Sequence, residues 1–300
     1  MRVLIIGYGS IGERHANILS KNKKISDLKI FSKRKIKDFP IINKKKEIKK
    51  YNPHYVIIAN ETHLHFKELI YFEKNFKNIS ILVEKPLFNR FIDYKVKNNK
   101  VFVGYNLRFH PFIGLIRKLV LKKKIWNVNV ICGSYLPDWR KGKKYQESYS
   151  AQKRSGGVLL DLSHELDYIK WIFGNFKPVY FNYRKVSNLK INSYDNLSLI
   201  AEGKNKVNIQ LYLNYFFKKP MRQILIDGKD LSINADLISN TMYVYKKNNF
   251  KKYLLNNFDV NIMYKNQHKE IINNKIKDIC IYKEGKETMK IIDNISNKSI

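Results

Sequence analysis

The sequence reads Val3-Leu4-Ile5-Ile6-Gly7-Tyr8-Gly9-Ser10-Ile11-Gly12-Glu13-Arg14-His15 at the point that decides its fold. The apolar run of residues 3–6 has the length and composition of a buried parallel strand. Three glycines follow in the order G-x-G-x-x-G, and a segment with helical spacing comes next. A strand, a tight glycine turn and a helix in this order predict a site for the phosphates of a dinucleotide.

Each glycine of this turn has its own task. Gly7 allows the tight turn, Gly9 lets the backbone approach a pyrophosphate, and Gly12 lets the helix pack against the strand. The phosphates would lie at the N-terminus of the helix, where unpaired N–H groups favour negative charge. A glycine turn without a ligand is the alternative. The predicted cofactor contacts of the turn are Gly7, Tyr8, Gly9, Ser10, Ile11 and Gly12.

Length and composition narrow the class of protein. With 300 residues, 44% of them hydrophobic, the chain can bury a large core and form two domains. Its apolar runs, such as residues 79–83, are far too short to span a bilayer, and Gly7 and Gly9 interrupt the apolar core that a signal peptide needs. Cys132 and Cys280 match neither a metal spacing nor a disulfide framework. We therefore expect a cytoplasmic protein without a bound metal.

The net charge of +33 bears on the choice of partner. A basic chain can bind nucleic acid or a membrane surface. Here the cations are mostly lysines scattered along the whole chain with asparagine and isoleucine, as an AT-rich genome would give, and no motif that reads nucleic acid accompanies them. We expect neither nucleic acid nor a membrane as the main partner. Attraction of an anionic small molecule, such as a nucleotide sugar, is a simpler use of the charge.

Strands and helices alternate through the first hundred residues, which predicts a parallel sheet covered on both faces. The predicted strands there are residues 3–6, 28–32, 55–59, 81–83 and 101–104, and the predicted helices are residues 12–22, 44–50, 64–75 and 89–98. Later strand patterns follow one another with hairpin-sized links, which predicts an antiparallel sheet. Its strands are residues 128–134, 179–186, 197–201, 207–215, 223–227, 231–234 and 242–245, and the helices of this part are residues 112–122, 157–173, 260–273 and 283–295.

These patterns predict an α/β protein with two domains. Residues 1–108 would form an N-terminal Rossmann fold with a parallel sheet, which binds NAD(P). Residues 109–300 would form an α+β domain with an open, mostly antiparallel sheet, which binds the substrate and supports oligomerisation. Because the exposed face of an open sheet often pairs with another copy, we expect a homo-oligomer, either a dimer or a tetramer.

The end of the second strand indicates which dinucleotide binds. A Rossmann domain for NAD usually has an acidic residue there, which accepts hydrogen bonds from the ribose hydroxyls. This chain has Ser32, Lys33 and Arg34 instead, a hydroxyl and two cations that suit a 2′-phosphate. We therefore favour NADP, with NAD as the alternative. In a chain so rich in lysine, an ordinary basic surface also explains these residues.

Polar side chains also follow the third and the fifth strand, at the edge where ligands bind in open α/β sheets. Asn60, Thr62 and His65 can hold the pyrophosphate and ribose of the cofactor, although Thr62 can equally cap the next helix. Asn106 and Arg108 can contact the nicotinamide and the substrate, or the segment that contains them can simply link the domains.

The fourth strand ends in Glu84-Lys85-Pro86. Lys85 can move a proton to or from a substrate oxygen if burial and neighbouring charge lower its pKa. Pro86 can fix the turn, with a cis bond as one way to do so. A surface lysine paired with Glu84 is the alternative. We include Glu84 and Lys85 among the predicted cofactor contacts.

The predicted helix that follows Gly156-Gly157 carries a second candidate site. Asp161, His164 and Glu165 fall on one face of that helix, at i, i+3 and i+4. The two glycines would let the helix start close to another backbone. A histidine beside a carboxylate can act as an oriented general base, whereas a lone histidine on a helix is more often structural. No second histidine stands at metal-binding spacing on this helix.

These motifs, taken in order, resemble the glucose–fructose oxidoreductase / inositol dehydrogenase / MocA (Gfo/Idh/MocA) family. The resemblance covers nearly the whole chain. An open sheet follows the last of the motifs, as the family requires. The residues that carry the resemblance are the turn from Gly7 to Gly12, the segment from Thr62 to His65, Glu84-Lys85-Pro86, and Gly156-Gly157 with Asp161 and His164.

The resemblance implies an NAD(P)-dependent oxidoreductase that acts on a hydroxyl of a sugar or cyclitol. It implies that Lys85 touches both cofactor and substrate. The family helix commonly has Asp and then His four residues later, but here His164 follows Asp161 by three and Glu165 stands fourth. Because His164 keeps the family's spacing to Asp167, the role of the base carries over to His164. The acidic role carries over to Asp161, with Glu165 as the alternative.

Residues 135–140, 148–151 and 161–167 resemble a subgroup associated with bacterial surface-polysaccharide and sialic-acid-like sugar pathways. That resemblance implies a nucleotide-linked or acidic sugar as the substrate. Arg140, Lys141 and Arg154 could contact its anionic group. The predicted substrate contacts are Asn106, Arg108, Trp139, Arg140 and Tyr149.

The expected reaction is reversible hydride transfer between C4 of a nicotinamide and a carbinol carbon of the sugar. His164 would take the hydroxyl proton, Lys85 would polarise the oxygen, and Asp161 would orient His164 or a sugar hydroxyl. A non-catalytic member of the family that senses NADP(H) or a metabolite is the main alternative. The same fold with a linear or pterin-like substrate is another.

Overall fold

The computed structural model describes residues 1–140, 142–247 and 249–298. They form two compact units. The first unit comprises Met1–Phe109 and Val260–Met289, and the second comprises His110–Asp259 with the described residues from Lys290 onward. A compact unit need not fold on its own, so the predicted division into domains after residue 108 stays a prediction.

Strands and α-helices are numbered here in chain order. The strands are β1 (Arg2–Ile6), β2 (Asp27–Phe31), β3 (Ile41–Ile42), β4 (Tyr55–Ile58), β5 (Ser80–Val83), β6 (Lys100–Val103), β7 (Ile125–Gly133), β8 (Phe176–Arg184), β9 (Asn196–Gly203), β10 (Asn208–Asn214), β11 (Met221–Gly228), β12 (Leu231–Asp236), β13 (Thr241–Lys246), β14 (Asn249–Leu254) and β15 (Cys280–Ile281). The α-helices are α1 (Ser10–Leu19), α2 (Lys45–Tyr51), α3 (His65–Asn75), α4 (Pro111–Val120), α5 (Val158–Asp161), α6 (Ser163–Phe173), α7 (Asn261–Ile272) and α8 (Tyr282–Asn297). None of these described helices is long and apolar enough to cross a membrane.

The first unit contains a sheet of seven strands in the order β15-β6-β5-β4-β1-β2-β3. Neighbours from β6 to β3 run parallel, and β15 pairs with β6 antiparallel. Residues of β1 and β4 are buried on both faces, as a sheet covered by helices on each side requires. The strand order reverses between β1 and β4, and ligands bind at the carboxyl ends of strands at such a point. The predicted Rossmann fold is confirmed.

The second unit contains a sheet of eight strands in the order β14-β13-β12-β11-β7-β10-β9-β8. Its neighbours are antiparallel except for β7 and β10, which run parallel. Buried and accessible residues alternate along β9 and β10, so one face of the sheet packs on the core. Tyr180, Ile200 and Phe250 are exposed. The predicted open, mostly antiparallel sheet is confirmed.

The helix predicted over residues 89–98 is wrong, because that segment has no helix in the structure. Glu73 on α3 is buried, and its Oε2 accepts hydrogen bonds from the backbone N–H groups of Lys97 and Asn98. A buried carboxylate therefore takes backbone donors near the end of the segment. The strand β14 was not predicted, because nearly all of its residues are exposed and no apolar alternation marks it.

The helix predicted over residues 157–173 is interrupted. α5 ends at Asp161, Leu162 has φ −99° and ψ 26°, and α6 begins at Ser163. Asp161 therefore does not share one continuous helix face with His164 and Glu165, and that prediction is wrong. The break matters for function because it separates the two acidic residues between which the sequence left the choice open.

Candidate functional site

The glycine turn has the geometry that its sequence predicts. Gly7 has φ +92°, and a Cβ there would lie 2.7 Å from Asn60 Cα. A Cβ on Gly12 would collide with the Gly7 carbonyl oxygen, whereas a Cβ on Gly9 would meet no atom within 4 Å. Packing thus requires glycine at positions 7 and 12, whereas Gly9 leaves open space in front of the backbone.

The surroundings of this turn fit a dinucleotide. Gly9 is the N-cap of α1 and offers no side-chain cap, so the first N–H groups of the helix are not used by a capping side chain. Tyr8 and Ile11 are partly buried and Ser10 is exposed. The Asn60 Oδ1 atom is buried and accepts no hydrogen bond from the described residues. A bound ligand with an N–H or O–H donor would satisfy that oxygen.

The basic end of β2 lies beside the turn, because the Gly7 N–H donates to the Phe31 carbonyl at 3.1 Å. Ser32 Oγ accepts a hydrogen bond from the Arg34 N–H at 3.0 Å, which leaves the hydroxyl proton of Ser32 free to point outward. Lys33 and Arg34 are exposed. Two cations are therefore presented to solvent next to the predicted phosphate site.

His65 holds two candidate segments together. It is 1% exposed, with Nε2 at 3.1 Å from the Asn60 carbonyl and Nδ1 at 3.1 Å from the Pro86 carbonyl. Burial lowers its pKa, while these backbone contacts oppose the shift. Thr62 begins a 3-10 helix and is not its N-cap, so the capping alternative for Thr62 is wrong. The roles of both residues as cofactor contacts stay predictions.

Lys85 stands out in the turn after β5. Residues 81–88 are buried apart from Lys85, which is partly exposed, and the Lys85–Pro86 peptide is cis. Glu84 is 7% exposed; its Oε1 lies 2.9 Å from His15 Nε2, and its Oε2 accepts from the Lys85 N–H at 3.2 Å. The fold therefore directs one lysine out of an otherwise buried turn at the carboxyl edge of the sheet.

Asn106 and Arg108, the two substrate contacts predicted in the first unit, are both buried, at 5% and 2% exposure. Arg108 Nη1 donates to Glu284 Oε2 at 2.8 Å. The Asn106 side chain hydrogen-bonds to Tyr264 and works against the rise in the pKa of Tyr264 that burial causes. Both side chains already have partners within their own unit, and contact with a substrate stays a prediction.

His164 in the second unit has a setting similar to that of Lys85 in the first, because each is partly exposed within a buried segment. Every residue from 158 to 170 is buried apart from His164, which is partly exposed. The glycines before α5 do bring the chain close to another backbone, because a Cβ on Gly156 would lie 2.5 Å from Ser150 Cα. Gly157 has φ +101°, a conformation that other residues rarely adopt.

The structure separates the two candidate acids near His164 by their partners. Glu165 is fully buried, and its Oε1 lies 2.8 Å from Arg222 Nε in an ion pair. Asp161 Oδ2 instead accepts a hydrogen bond from the Tyr215 hydroxyl at 2.6 Å. Burial and the charge of Asp161 raise the pKa of Tyr215 well above its usual value. Glu165 thus pairs with a cation, and Asp161 accepts a hydrogen bond from a phenol.

The predicted substrate contacts of the second unit lie around Asp161. The charge of Asp161 raises the pKa of Tyr149, and Arg140 Cζ lies 4.7 Å from the centre of the Tyr149 ring. Trp139 packs edge-on against Tyr215 with ring centres 5.3 Å apart. Sequence reasoning missed Tyr215; the only signal was its position directly after a strand. The three predicted contacts and the predicted acid are thus brought together.

A cavity of about 580 Å³ lies against this group. Its size is typical of a pocket for a small organic ligand. The described residues that line it include three cations and one acid, Glu147. Lys141 lies outside the described residues. The lining consists of Leu136, Trp139, Arg140, Gly142, Lys143, Lys144, Tyr145, Glu147, Ser148 and Ser150.

Two family models match this chain. Residues 1–99 match the model described as an oxidoreductase family with an NAD-binding Rossmann fold, and residues 114–234 match the GFO/IDH/MocA C-terminal domain. The chain belongs to the Gfo/Idh/MocA family. The resemblance seen in its motifs is confirmed, and the Rossmann fold of this Gfo/Idh/MocA member is of the NAD-binding type.

Individual relatives are distant. A levoglucosan dehydrogenase of Pseudarthrobacter phenanthrenivorans is 29% identical over 136 residues, which is 42% of this chain and 34% of the relative. The matched region spans about a third of the length of the curated relatives.

Solved structures cover the whole chain but show the fold alone, because sequence identity is low. A levoglucosan dehydrogenase in complex with NADH has a TM-score of 0.82 at 16% identity, and the match covers 100% of this chain and 96% of that one. UDP-N-acetylglucosamine 3-dehydrogenase GnnA from Acidithiobacillus ferrooxidans has a TM-score of 0.80 at 16% identity, with 100% and 97% covered.

Proposed function

We propose that the protein is an oxidoreductase in which a nicotinamide cofactor, when bound, gives or takes a hydride at a carbinol carbon of an anionic sugar. The observation that carries the proposal is Lys85, the one partly exposed residue in a buried turn at the same sheet edge as the glycine turn. A protein that binds a nucleotide but catalyses no reaction would not need a partly exposed lysine in such a turn.

The chain's own residues would handle the proton. In the direction of oxidation, His164 removes the proton of the sugar hydroxyl, and Lys85 donates a hydrogen bond to the same oxygen and stabilises its negative charge. Asp161 rather than Glu165 takes the acidic role, because Glu165 is already paired with Arg222. Asp161 orients His164 or a sugar hydroxyl. In the reverse direction His164 returns the proton to the oxygen, to which Lys85 donates its hydrogen bond.

The cavity beside Trp139 and Arg140 favours a sugar that carries an anionic group. Among the described residues of its lining, Arg140, Lys143 and Lys144 stand against one acid, Glu147, and aromatic rings offer flat apolar surfaces to a sugar. A nucleotide-linked or acidic sugar satisfies both features. A protein similar in fold is named for a UDP-sugar, which supports this class, whereas a relative by sequence is named for levoglucosan, a sugar without charge. Surface-polysaccharide or sialic-acid-like sugar synthesis stays the predicted pathway.

The cofactor would be held by the glycine turn, by Asn60, and by the basic end of β2. Ser32, Lys33 and Arg34 favour NADP over NAD, because together they present a hydroxyl and two exposed cations where an NAD enzyme usually has an acid. Fluorescence titration with NADPH and NADH tests this preference. Tighter binding of NADH would contradict it.

Oligomerisation and location complete the proposal. The open face of the second sheet exposes apolar side chains such as Tyr180, Ile200 and Phe250, which would be covered in a dimer or tetramer. Light scattering after gel filtration would measure the mass in solution. We also propose that the protein works in the cytoplasm, where nicotinamide cofactors and nucleotide sugars are available.

The activity itself is tested by nicotinamide absorbance over a panel of neutral sugars, cyclitols, sugar acids and nucleotide sugars, with NADPH and NADH or their oxidised forms. We expect turnover with an anionic member of the panel and little with neutral sugars. Tight cofactor binding without turnover of any member would instead support a sensor of NADP(H).

A further inference from the structure

Four buried polar side chains form a continuous chain of hydrogen bonds within the first unit. Glu84 Oε1 lies 2.9 Å from His15 Nε2, and His15 Nδ1 lies 2.8 Å from His268 Nε2. His268 Nδ1 lies 2.8 Å from the Tyr55 hydroxyl. Glu84 is 7% exposed and the other three are 1% exposed or less. The proposed reaction uses none of His15, His268 and Tyr55.

The two ends of the chain fix where the protons lie. Burial raises the pKa of Tyr55 well above its usual value, so its hydroxyl keeps its proton. Burial lowers the pKa of His268 well below its usual value, so His268 carries a single ring proton. The Glu84 carboxylate can only accept, so His15 Nε2 must donate to it.

Among the described residues, His268 Nδ1 is the only hydrogen-bond partner of the Tyr55 hydroxyl, so the hydroxyl donates to it and the remaining links have a single solution. His15 Nδ1 accepts from His268 Nε2, and His268 Nδ1 accepts from the Tyr55 hydroxyl. Every donor then faces an acceptor, and Glu84 is the only charge of the chain. A second proton on His15 would reverse both links, because His268 Nε2 would then have to accept and its Nδ1 would carry the proton.

The carboxylate at the end of this chain is held on both oxygens. Glu84 Oε2 accepts from the backbone N–H of Lys85 at 3.2 Å. Gly104 provides the space for the other oxygen, since a Cβ there would lie 2.5 Å from Glu84 Oε1. Tyr264 also faces His15, with ring centres 5.4 Å apart, and Arg14 Cζ lies 5.3 Å from the Tyr264 ring.

We propose that His15, supported by His268 and Tyr55, is a positioning residue that holds Glu84 as a fixed carboxylate and thereby sets the backbone at Lys85. His15 lies on α1, the helix that the glycine turn opens. One side chain therefore joins the helix of the predicted phosphate site to the turn that carries the proposed catalytic lysine. The inference rests on the proposed function only for the role of Lys85 in turnover.

The proton arrangement can be measured without cofactor or substrate. In a sample with ¹⁵N-labelled histidine, nitrogen chemical shifts report which ring nitrogen carries the proton, and His15→Gln and His268→Phe assign the signals. We expect the proton of His268 on Nε2 at neutral pH. A proton on Nδ1 of His268 would mean that the chain runs the other way, and would overturn the assignment.

Kinetics test the positioning role. His15→Leu removes the donor to Glu84, and we expect kcat to fall about tenfold to a hundredfold. His15→Gln should restore most of the loss, because its amide N–H can donate to the carboxylate. Tyr55→Phe should lower kcat by less, about threefold. Tyr51→Phe is the matched control, since this phenol is buried in the same unit but donates to the carbonyls of Val3 and Asp27.

A glycine variant keeps the test decisive if His15→Leu does not fold. Gly104→Ala mutates none of the four residues of the hydrogen-bond chain, but its Cβ forces the Glu84 carboxylate to shift from its position against His15. Gly114→Ala is its control, because a Cβ there meets nothing within 4 Å. We expect Gly104→Ala to lower kcat about tenfold and to change the nitrogen shifts of His15.

Unchanged shifts and unchanged kcat in Gly104→Ala would overturn the inference. Equal losses in His15→Gln and His15→Leu would do the same, because a positioning donor should be replaceable by another donor. If the parent protein turned over no sugar at all, the proposed function would fail, and the shifts of His268 would still decide the proton arrangement.

Discussion

Lys85 in the first unit and His164 in the second have the same setting and differ in the acids beside them. Each is a partly exposed base within a run of buried residues. The acid next to Lys85 is Glu84, which an imidazole and a backbone N–H hold. Of the buried acids near His164, Asp161 and Glu165 are the two between which the sequence left the acidic role open, and the break in the helix at Leu162 separates them.

The two acids Asp161 and Glu165 differ in the groups that bind them. Glu165 pairs with the guanidinium of Arg222, whereas Asp161 is bound by the hydroxyl of Tyr215. A paired cation offsets the field of the Glu165 carboxylate. The rise in the pKa of Tyr149 comes mainly from Asp161, which shows that this charge reaches the predicted substrate contacts. The partners of the two acids, rather than their spacing in the sequence, are therefore the ground on which we propose Asp161 for the acidic role.

The largest effect is expected at His164. His164→Ala should lower kcat about 100- to 10,000-fold, the range for loss of a well-placed general base, with cofactor binding retained. His54→Ala is the matched control, because His54 is exposed and precedes β4 at its amino end. Equal losses in the two variants would show that His164 is no more than another surface histidine.

Removal of the charge should affect stability at Glu165 and turnover at Asp161. Glu165→Gln leaves the Arg222 charge unpaired and should lower the free energy of unfolding by about 3 kcal/mol, the low end for a buried pair, because 24% of the Arg222 side chain is exposed. Asp161→Asn keeps an acceptor for Tyr215 and should mainly lower kcat. Chemical denaturation and steady-state kinetics of both variants measure the contrast. Similar stability loss in the two would remove the distinction drawn here.

Sequence patterns predicted the parts of both regions that depend on local spacing. The glycine turn, the strand before Lys85 and the close approach at Gly156 all follow from short-range sterics, and the structure confirms them. The break at Leu162 has no such signal, since Leu-Ser inside an amphipathic pattern reads as helix. The helix prediction for residues 89–98 is wrong for a related reason, because the Glu73 carboxylate on α3 accepts a hydrogen bond from the backbone of this segment.

Pairings across the chain could not be predicted. His15 meets partners 69 and 253 residues away, and Arg108 meets Glu284 176 residues away. Period and propensity describe one segment at a time, so they cannot say which buried charge finds which partner. For that reason Arg108 was predicted as a substrate contact without any indication of its partner Glu284, and the hydrogen-bond chain behind Glu84 could not be predicted.

His110 offers a titrating group that is structural, in contrast to His164. It caps α4 by accepting from the Phe112 N–H, and burial and the charge of Arg222 lower its pKa to about 4. The neutral form stabilises the fold fully above about pH 6.5, and this contribution is lost as pH falls toward about 4. Between about pH 7 and about pH 5 the loss should reach about 2 kcal/mol.

His110→Asn keeps a capping acceptor and removes the titration. Denaturation at the two pH values should show a smaller drop in the variant than in the parent, while His63→Asn, at an exposed histidine, should leave the drop unchanged. An unchanged drop in His110→Asn would assign the acid sensitivity to another group.

The smallest effect is expected at the exposed cations after β2. Lys33→Gln with Arg34→Gln should weaken NADPH about tenfold relative to NADH, since each exposed contact to a phosphate is worth little. Lys49→Gln with Lys50→Gln makes the same change of net charge on α2 and should leave the ratio unchanged. If both pairs changed the ratio equally, the net charge of the protein and not a 2′-phosphate site would be responsible.

Lys85→Met, assayed by nicotinamide absorbance with the best substrate of the panel, tests the central claim most directly. The variant should still bind the cofactor in fluorescence titration, weakened only by the loss of one contact, because the glycine turn and Asn60 are untouched. Its kcat should fall about 100- to 10,000-fold, since the oxygen of the substrate loses the charged hydrogen-bond donor that stabilises it. Turnover within a few-fold of the parent would contradict the account and return the turn from Gly7 to Gly12 to a binding site without chemistry.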